Sequence, residues 1–574
     1  MNDIRRTVLW VIFGFSLVLL WDQWQVYDGK PATFFPHPTK AAATAANKPA
    51  SASLPAASGA QGSAVPATAQ ASAGTAAVPG QAPAPAATPP ERFTVTTDLM
   101  KATFDTEGGS LVRTEFLKIT ADSVSSKDKA PENFVLLEDN KERTYVAQTG
   151  LIGGDFPNHK TVMTASGDRQ LKDGADVLNV RFESPEKNGV KLVKTYTFHR
   201  GSYAVGVKHE VVNVGTAPVS PQLYVQLVRG HGTSGGSFIT NPTGTFTGPA
   251  VYTDDKKYQK VDFDHIDKNK MEYQKEATSG WIAMVQHYFV SAWILPSGAK
   301  RENFVRKVDN LYAVGSIEPL QPVAPGATQA VQATFFAGPQ QEKMLEGVAP
   351  GLDLVKDYGI FTIIAKPLYW LLDKLHSFIG NWGWSIMALV LLIKIAFYWL
   401  QAKGYQSMAK MKAINPKVMA LRERYKDNPQ QMQQEMMKIY REEKVNPIGG
   451  CFPIMIQIPV FISLYWVLLS SVEMRNAPWQ FWIHDLASPD PYFILPAVMT
   501  LTTLLQTALN PAPPDPVQAK MMWLMPLAFS VMFFFFPAGL VLYWITNNVL
   551  SIAQQWLINY RMGVPPEFNL PKFK

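Results

Sequence analysis

The 574-residue chain has a single cysteine, Cys451, so no intrachain disulfide can form and no cysteine-rich metal site can be built. Inside an apolar run, Cys451 reads as a small buried hydrophobe. Charge is scarce as well, at 17% of residues against roughly 25% in an average soluble protein, while hydrophobic residues reach 47%. No G-x-x-x-x-G-K-[ST] phosphate loop occurs, which excludes nucleotide hydrolysis by that route. An H-E-x-x-H motif is missing too, and the apolar segments hold no recognisable Ser-His-Asp arrangement. His199, His209, His231, His265 and His287 are scattered among strand-like segments without the close Asp or Glu constellation that a metal site needs. No cofactor, metal or covalent catalysis is expected, and the chain reads as a non-enzyme.

What is there divides into unlike parts. The formal net charge is +7, and the basic residues cluster beside apolar runs, so they read as membrane orientation signals, with no specificity for nucleic acid. Residues 8–21, VLWVIFGFSLVLLW, follow Arg5 and Arg6. The bulky polar stretch after them offers no small-residue cleavage site. Residues 1–25 are therefore expected to be an uncleaved membrane anchor with the chain emerging on the far side. Residues 26–90, nearly all Ala, Pro, Ser, Thr, Gly and Gln from position 38 onward, have too few large apolar groups to offset their ordering entropy and read as a disordered linker.

Over residues 91–345 the texture is that of strands. Alternating runs such as LNVRFES, VKLVKTYTFHR and YAVGVKHEVVNV are punctuated by Gly, Pro, Asn and Asp, which predicts a large antiparallel sandwich. Residues 230–235, GHGTSG, match G-x-G-x-x-G after an apolar strand. The following SFITNPTGTFTGP cannot open the helix that a dinucleotide site requires. That segment reads as a loop. Residues 346–380 are apolar but carry six Asp and Lys residues from Asp353 to Lys374, so an amphipathic helix lying on the outer membrane face is expected there.

Apolar segments of roughly 20 residues, the length of a membrane span, then recur over residues 381–560. The first is Trp382 to Leu400, the second covers 449–471 and the third 492–509. A fourth and fifth occupy 521–558, broken near Phe536-Pro537-Ala538-Gly539. With the anchor, six spans are expected. The 402–448 segment holds ten lysines and arginines, whereas 472–490 holds only Arg475. Positive-inside bias then puts 402–448 in the cytoplasm, 472–490 outside, and both termini, including the tail 561–574, inside.

Within the spans some residues are polar. Lys394 lies six residues before Leu400, and two readings are open: a functional intramembrane cation, or a side chain snorkelling to the cytoplasmic interface. Gln457 sits in the second span, Thr500, Thr502, Thr503 and Gln506 in the third, and Thr546, Asn547, Asn548, Ser551, Gln554 and Gln555 in the fifth. Such groups must face one another or water. They either glue the bundle or line a half-deep groove open to the cytoplasm. The 402–448 segment reads as a helical hairpin turning at Asp427-Asn428-Pro429. Its Met408, Met411, Met419, Met432 and Met436 provide soft apolar surface suited to partners of varied sequence.

The run from Asn446 to Pro453 (NPIGGCFP), followed by QIPVF at 457–461, closely resembles the YidC family of bacterial membrane protein insertases. So do GNWGWSI at 380–386, SMAKM at 407–411, WIHDL at 482–486, DPYFILP at 490–496 and FPAGLVLYW at 536–544. The matches run in order through 380–560, and the long linker and β region are similar to the Gram-negative form. The resemblance implies a multi-domain inner-membrane protein: five core transmembrane helices, an N-terminal anchor helix and an all-β periplasmic supersandwich. It implies an insertase and chaperone whose hydrophilic groove, open to cytoplasm and lipid, receives the polar part of a client. The implied partners are nascent membrane proteins, the Sec translocon, the ribosome and targeting machinery, and membrane lipids. Matched residue by residue, the groove would comprise Lys394, Gln457, Ile458, Pro459, Thr503, Gln506, Tyr543, Trp544 and Asn547, and the hairpin methionines would contact client or ribosome. The family's groove cation is usually arginine. Lys394 keeps the charge but not the guanidinium fork. Two rivals, a transporter and a membrane-anchored carbohydrate-active enzyme, need internal repeats or paired carboxylates that the sequence does not display.

Overall fold

The computed structural model describes residues 91–121, 132–230, 246–425, 428–443, 452–510, 516–563 and 568. The anchor over 1–25, the linker over 26–90, the GHGTSG loop beyond Gly230, Cys451 and nearly all of the tail lie outside these.

Among the described residues, eighteen strands build the first part. They are β1 (Arg92–Thr96), β2 (Met100–Asp105), β3 (Ser110–Thr120), β4 (Asn133–Asp139), β5 (Thr144–Ile152) and β6 (Thr164–Gly167). Next come β7 (Val177–Glu183), β8 (Val190–His199), β9 (Ala204–Asn213), β10 (Gln222–Gly230), β11 (Gly248–Thr253) and β12 (Lys257–Lys260). The last are β13 (Glu276–Ala277), β14 (Trp281–Val285), β15 (Phe289–Ile294), β16 (Arg301–Val308), β17 (Leu311–Pro319) and β18 (Thr328–Pro339), with a short helix α1 (Phe263–Asp267) after β12. They form two nine-stranded sheets, ordered β1-β2-β3-β4-β5-β10-β17-β16-β13 and β12-β11-β14-β15-β18-β9-β8-β7-β6. The expected antiparallel sandwich is present. Strict alternation of half-buried and buried residues along β9 places one face on the core. Phe104, Phe116, Phe182, Trp293, Phe335 and Phe336 fill the space between the sheets.

That core also contains ionisable groups. Lys194 and His209 face each other across β8 and β9, and both are fully buried. The Lys194 ammonium donates to the carbonyls of Gly108 (2.6 Å) and Thr149 (2.8 Å), and burial pushes its pKa down to about 7. His209 Nε2 meets the Thr149 hydroxyl at 3.0 Å. Burial, with the Lys194 charge second, pushes His209 down to about 3. His159, hydrogen-bonded to the Tyr224 hydroxyl, is lowered to about 3 for the same two leading reasons.

The chain then turns at Gly351 and Gly359, both at positive φ. Helix α2 (Glu342–Val348) and a 3-10 turn, Leu352–Val355, precede α3 (Thr362–Ile379). The amphipathic helix expected over 346–380 therefore starts at Thr362. The segment before it belongs to the sandwich, because Leu345, Ala349, Leu352 and Val355 complete its apolar core. On α3, Lys366 pairs with Asp353 at 2.9 Å, Asp373 with Lys343 at 2.6 Å, and the Tyr369 hydroxyl donates to Glu473 at 2.8 Å. Buried Lys356 lies 3.6 Å from Glu473 and 3.7 Å over the Tyr369 ring. Other α3 side chains, Ile363, Trp370 and Phe378, stand exposed.

The helical part continues with α4 (Trp382–Ala396), α5 (Tyr398–Arg424), α6 (Pro429–Glu442), α7 (Phe452–Ser470), α8 (Ile494–Leu509), α9 (Pro516–Met532) and α10 (Ala538–Arg561). The span expected over Trp382–Leu400 ends early: the chain bends by 69° between α4 and α5, at Phe397. The hairpin α5–α6 turns where expected, with the Asn428 side chain capping α6 and Pro429 at its first position. The break before α10 falls at Phe536-Pro537, where the amides of Ala538 and Gly539 instead donate to Ser488 and Leu486 carbonyls. Among the described residues no single helix is long and apolar enough by itself to cross a membrane; α4 with the first half of α5 qualifies as a bent pair. Ile386, Leu389, Val390, Leu540, Val541 and Tyr543 are buried where α4 and α10 meet.

The buried histidines set an acid limit on the sandwich. Folded His159 and His209 stay neutral down to about pH 3, while the unfolded chain protonates them near 6.5. Stability is thus lost as pH falls below 6.5, by about 1.4 kcal/mol per pH unit for each histidine. Lys194 acts higher, withdrawing stability as pH falls from 10.5 to about 7 and nothing further below. His209→Gln is expected to lose less stability between pH 7.5 and 5.5 than wild type. Thermal unfolding followed by the β-sheet circular dichroism signal checks this, and identical pH slopes would contradict it.

Candidate functional site

Helix α10 carries the polar residues that organise the bundle, and a 3.6-residue period sorts them by direction. Asn547 and Ser551, four apart, face one way: Gln457 Nε2 of α7 donates to Asn547 Oδ1 at 2.8 Å, and Lys394 Nζ of α4 donates to Ser551 Oγ at 2.7 Å. Asn548 and Gln555, seven apart, face α8. Asn548 Nδ2 reaches Thr503 Oγ1 at 2.8 Å, and Gln555 Nε2 reaches the Leu509 carbonyl at 3.3 Å. One set glues α10 to α8. The other lines a cleft.

Lys394 sits in the last turn of α4, just before the bend. The bend brings Gln401 of α5 within 3.4 Å of its ammonium. Lys394 is 7% exposed and turns inward, so the snorkelling alternative does not describe it. Beside it lies a partly open cleft with about 430 Å3 of empty space, open solvent included, lined by Val390, Ile393, Lys394, Phe397, Leu400, Gln401, Gln457, Val460, Tyr543 and Asn547. The Ser551 hydroxyl donates its hydrogen bond to the Asn547 backbone carbonyl at 2.7 Å, so its oxygen can accept from the ammonium.

Of the expected groove residues, Lys394, Gln457, Tyr543 and Asn547 come together on this cleft. The others do not line it. Ile458 is exposed on α7. Pro459, also on α7, accepts the Ser463 hydroxyl at its carbonyl. Trp544 packs edge-on against Phe461 at 4.5 Å. Thr503 is taken by Asn548, and Gln506 is half-buried on α8. On the hairpin, Met419 is exposed, while Met408, Met411, Met432 and Met436 are half-buried. Gln401 was not anticipated, since it lies one residue past the expected span. Ser551 was noted as polar but not as a site residue, although its spacing of four from Asn547 was a usable signal.

A β sandwich joined through α3 to a bundle of apolar helices with a polar cleft is the architecture of a multi-part inner-membrane protein. Comparison with known proteins makes this specific. The family model for the YidC periplasmic domain matches residues 92–371, and that for the 60Kd inner membrane protein matches 374–564. The membrane protein insertase YidC of Cupriavidus taiwanensis is 57% identical over 563 residues, covering 98% of each chain. That of Ralstonia nicotianae is 54% identical over 564 residues, again covering 98% of each. A crystal structure of an active YidC insertase with its first transmembrane domain resolved covers 80% of this chain and 91% of that one, at 17% identity and a TM-score of 0.37. The chain belongs to the YidC family of membrane protein insertases, and it inserts membrane proteins at the bacterial inner membrane.

The Lys394–Ser551 contact predicts a stability effect. Ser551→Ala leaves a buried ammonium short of an acceptor and is expected to cost about 1–3 kcal/mol, whereas Ser551→Thr, which keeps the hydroxyl, should cost less. Thermal unfolding of the helical part in detergent measures both. Equal stability of the Ala variant and wild type would show that water replaces Ser551 without loss.

Proposed function

We propose that the cleft beside Lys394 receives the polar part of a client segment during insertion. The observation that carries this is an ammonium held inside the bundle whose hydrogen-bond partners among the described residues, Ser551 and Gln401, are neutral. Its charge is therefore not cancelled there and is offered to the adjacent cleft. A polar segment entering a bilayer loses water, at a cost of several kcal/mol for each unsatisfied group. Gln457, Asn547 and Lys394 supply partners part-way in. Short helices support a second element. The 15 residues of α4 and 16 of α8 rise about 22–24 Å, less than the roughly 30 Å of a typical hydrocarbon core. The bilayer around them would thin, shortening the remaining crossing. Apolar burial of the client in lipid then drives its release. The step is physical and consumes no nucleotide, in line with relatives that are named insertases.

In this reading the bundle has five core spans and the anchor over residues 1–25 supplies a sixth. The basic hairpin α5–α6 faces the cytoplasm, with Met408, Met411, Met419, Met432 and Met436 toward client or ribosome. The sandwich faces the periplasm, and both termini lie inside. Small clients would need this chain alone, and larger ones the Sec translocon beside it.

The test is insertion of a ribosome-bound single-span client into proteoliposomes containing only the purified protein. Lys394→Arg is expected to retain insertion and Lys394→Ala to lose most of it at matched protein levels. Equal insertion by all three would remove Lys394 from the mechanism. No insertion by wild type above empty liposomes, for several clients, would overturn the stand-alone reading.

A further inference from the structure

The segment joining α7 to α8 has a shape that client handling does not explain. Two of its phenylalanines, Phe481 and Phe493, occupy the left-handed region at φ 55° and 57°. For a bulky side chain this is an outlier, costing on the order of 1–3 kcal/mol, and it persists only where the surroundings enforce it. Two aspartates brace the backbone on either side of these residues. Asp485 accepts the amides of Asn476 (3.0 Å) and Ala487 (2.8 Å) and the Ser488 hydroxyl (2.7 Å). Asp490 accepts Trp482 Nε1 (2.9 Å) and the amides of Tyr492 (3.0 Å) and Leu495 (2.7 Å). A backbone pinned this way cannot fold its rings inward. Phe481 remains 79% exposed, Tyr492 57% and Phe493 49%.

These rings belong to a series of contacts that links the same ends of three helices. Trp479 meets Trp384 in the first turn of α4 at 5.7 Å. Phe481 stacks on Trp482 at 5.8 Å, and Trp482 meets Tyr492 at 6.4 Å, just before α8. Phe493 meets Phe534, at the end of α9, at 5.7 Å. Between Asn476 and Phe493 there is no lysine or arginine, and both carboxylates are occupied within the segment. Beside exposed Gln480 and His484 the surface offered is aromatic, and it continues directly into helices of an inner-membrane protein. Amphipathic rings at such a boundary suit the junction of headgroups and acyl chains.

We propose that residues 476–493 form a preformed aromatic wedge whose occupant is the outer-leaflet lipid interface, with Phe481 and Phe493 inserted below the headgroups. The strained backbone holds the rings outward, so the wedge sets the depth of the outer ends of α4, α8 and α9 without having to order itself on contact. A flexible loop of the same composition would lose that ordering entropy on insertion.

The experiment uses the full chain in proteoliposomes of phosphatidylethanolamine and phosphatidylglycerol, with Cys451→Ser removing the sole cysteine. Nitroxide labels go on Phe481→Cys, Tyr492→Cys and Phe493→Cys, and on Lys256→Cys, an exposed position of the sandwich, as the water reference. Power saturation is expected to show oxygen accessibility dominating at 481 and 493, several-fold above the ratio to a nickel chelate at 256. Water-like ratios at both would overturn the proposal. Water-like ratios that become shielded only when other membrane proteins are added would replace lipid by a protein partner. Phe481→Gly, which relaxes the left-handed backbone, guards against misfolding of labelled variants. It should keep or raise thermal stability in detergent, while the Tyr492 label moves toward water. An unmoved label would reduce Phe481 to a local strain without an anchoring role.

Discussion

Every polar side chain on the inner face of α10 has to find its partner inside the bundle, because lipid offers none, and the placement of the other helices follows from that demand. Asn548 and Gln555 reach α8, Asn547 meets Gln457 of α7, and Ser551 meets Lys394 of α4. Three helices are thereby tied to α10 by directional contacts, which apolar packing between lipid-like side chains would not supply. Where the partners are amides and hydroxyls the contacts are neutral on both sides, although the Gln555 Oε1 is left without a partner. The Lys394 side of α10 is different, because a cation with neutral partners stands beside empty space.

The sandwich is attached by a second concentration of polar contacts. Arg475 donates to the Thr120 and Ala121 carbonyls at the end of β3 and stands near the rings of Phe134, Tyr288 and Phe289. Asn476 donates to the Thr120 hydroxyl, His287 meets the Leu469 carbonyl at 2.9 Å, and Val472 joins the sandwich core. With Glu473 engaging Tyr369 and Lys356, one stretch of the α7–α8 connection holds the β domain, α3 and the bundle together. Burial draws the Lys356 ammonium below the ordinary lysine range, partly offset by Glu473. Breaking such a buried pair costs more than forming it contributes.

Sequence patterning made the architecture legible because each part has a different period. Two-residue alternation marked the strands, apolar length marked the bundle, and Asn428-Pro429 marked the hairpin turn. Three-dimensional pairing was not legible. The charges from Asp353 to Lys374 read as a water-facing side of an amphipathic helix, yet several are spent on contacts with the β domain and the α7–α8 connection, a use that depends on partners a hundred residues away, such as Glu473. The bend at Phe397 was hidden too, since the apolar run continues through it to Leu400. Four of the ten residues lining the cleft could be read: Lys394, Gln457 and Asn547 stood out as polar groups within apolar spans, and Tyr543 came from the family resemblance. Gln401 needed the bend, and Thr503 and Gln506 differ from Gln457 only in which face of α10 they meet or miss.

The lysine at position 394 fits the contacts around it. An ammonium has three donors that rotate about a flexible stem. Two are directed to Ser551 Oγ and Gln401 Oε1, which leaves one for an acceptor in the cleft. A guanidinium would present a fixed planar fork, and with Ser551 and Gln401 in place its spare donors would point in set directions. For a groove that accepts polar segments of many sequences, as proposed here, one spare donor on a compact point charge imposes less geometry on the acceptor than a planar fork with several. It also binds any one carboxylate less tightly than a bidentate pair.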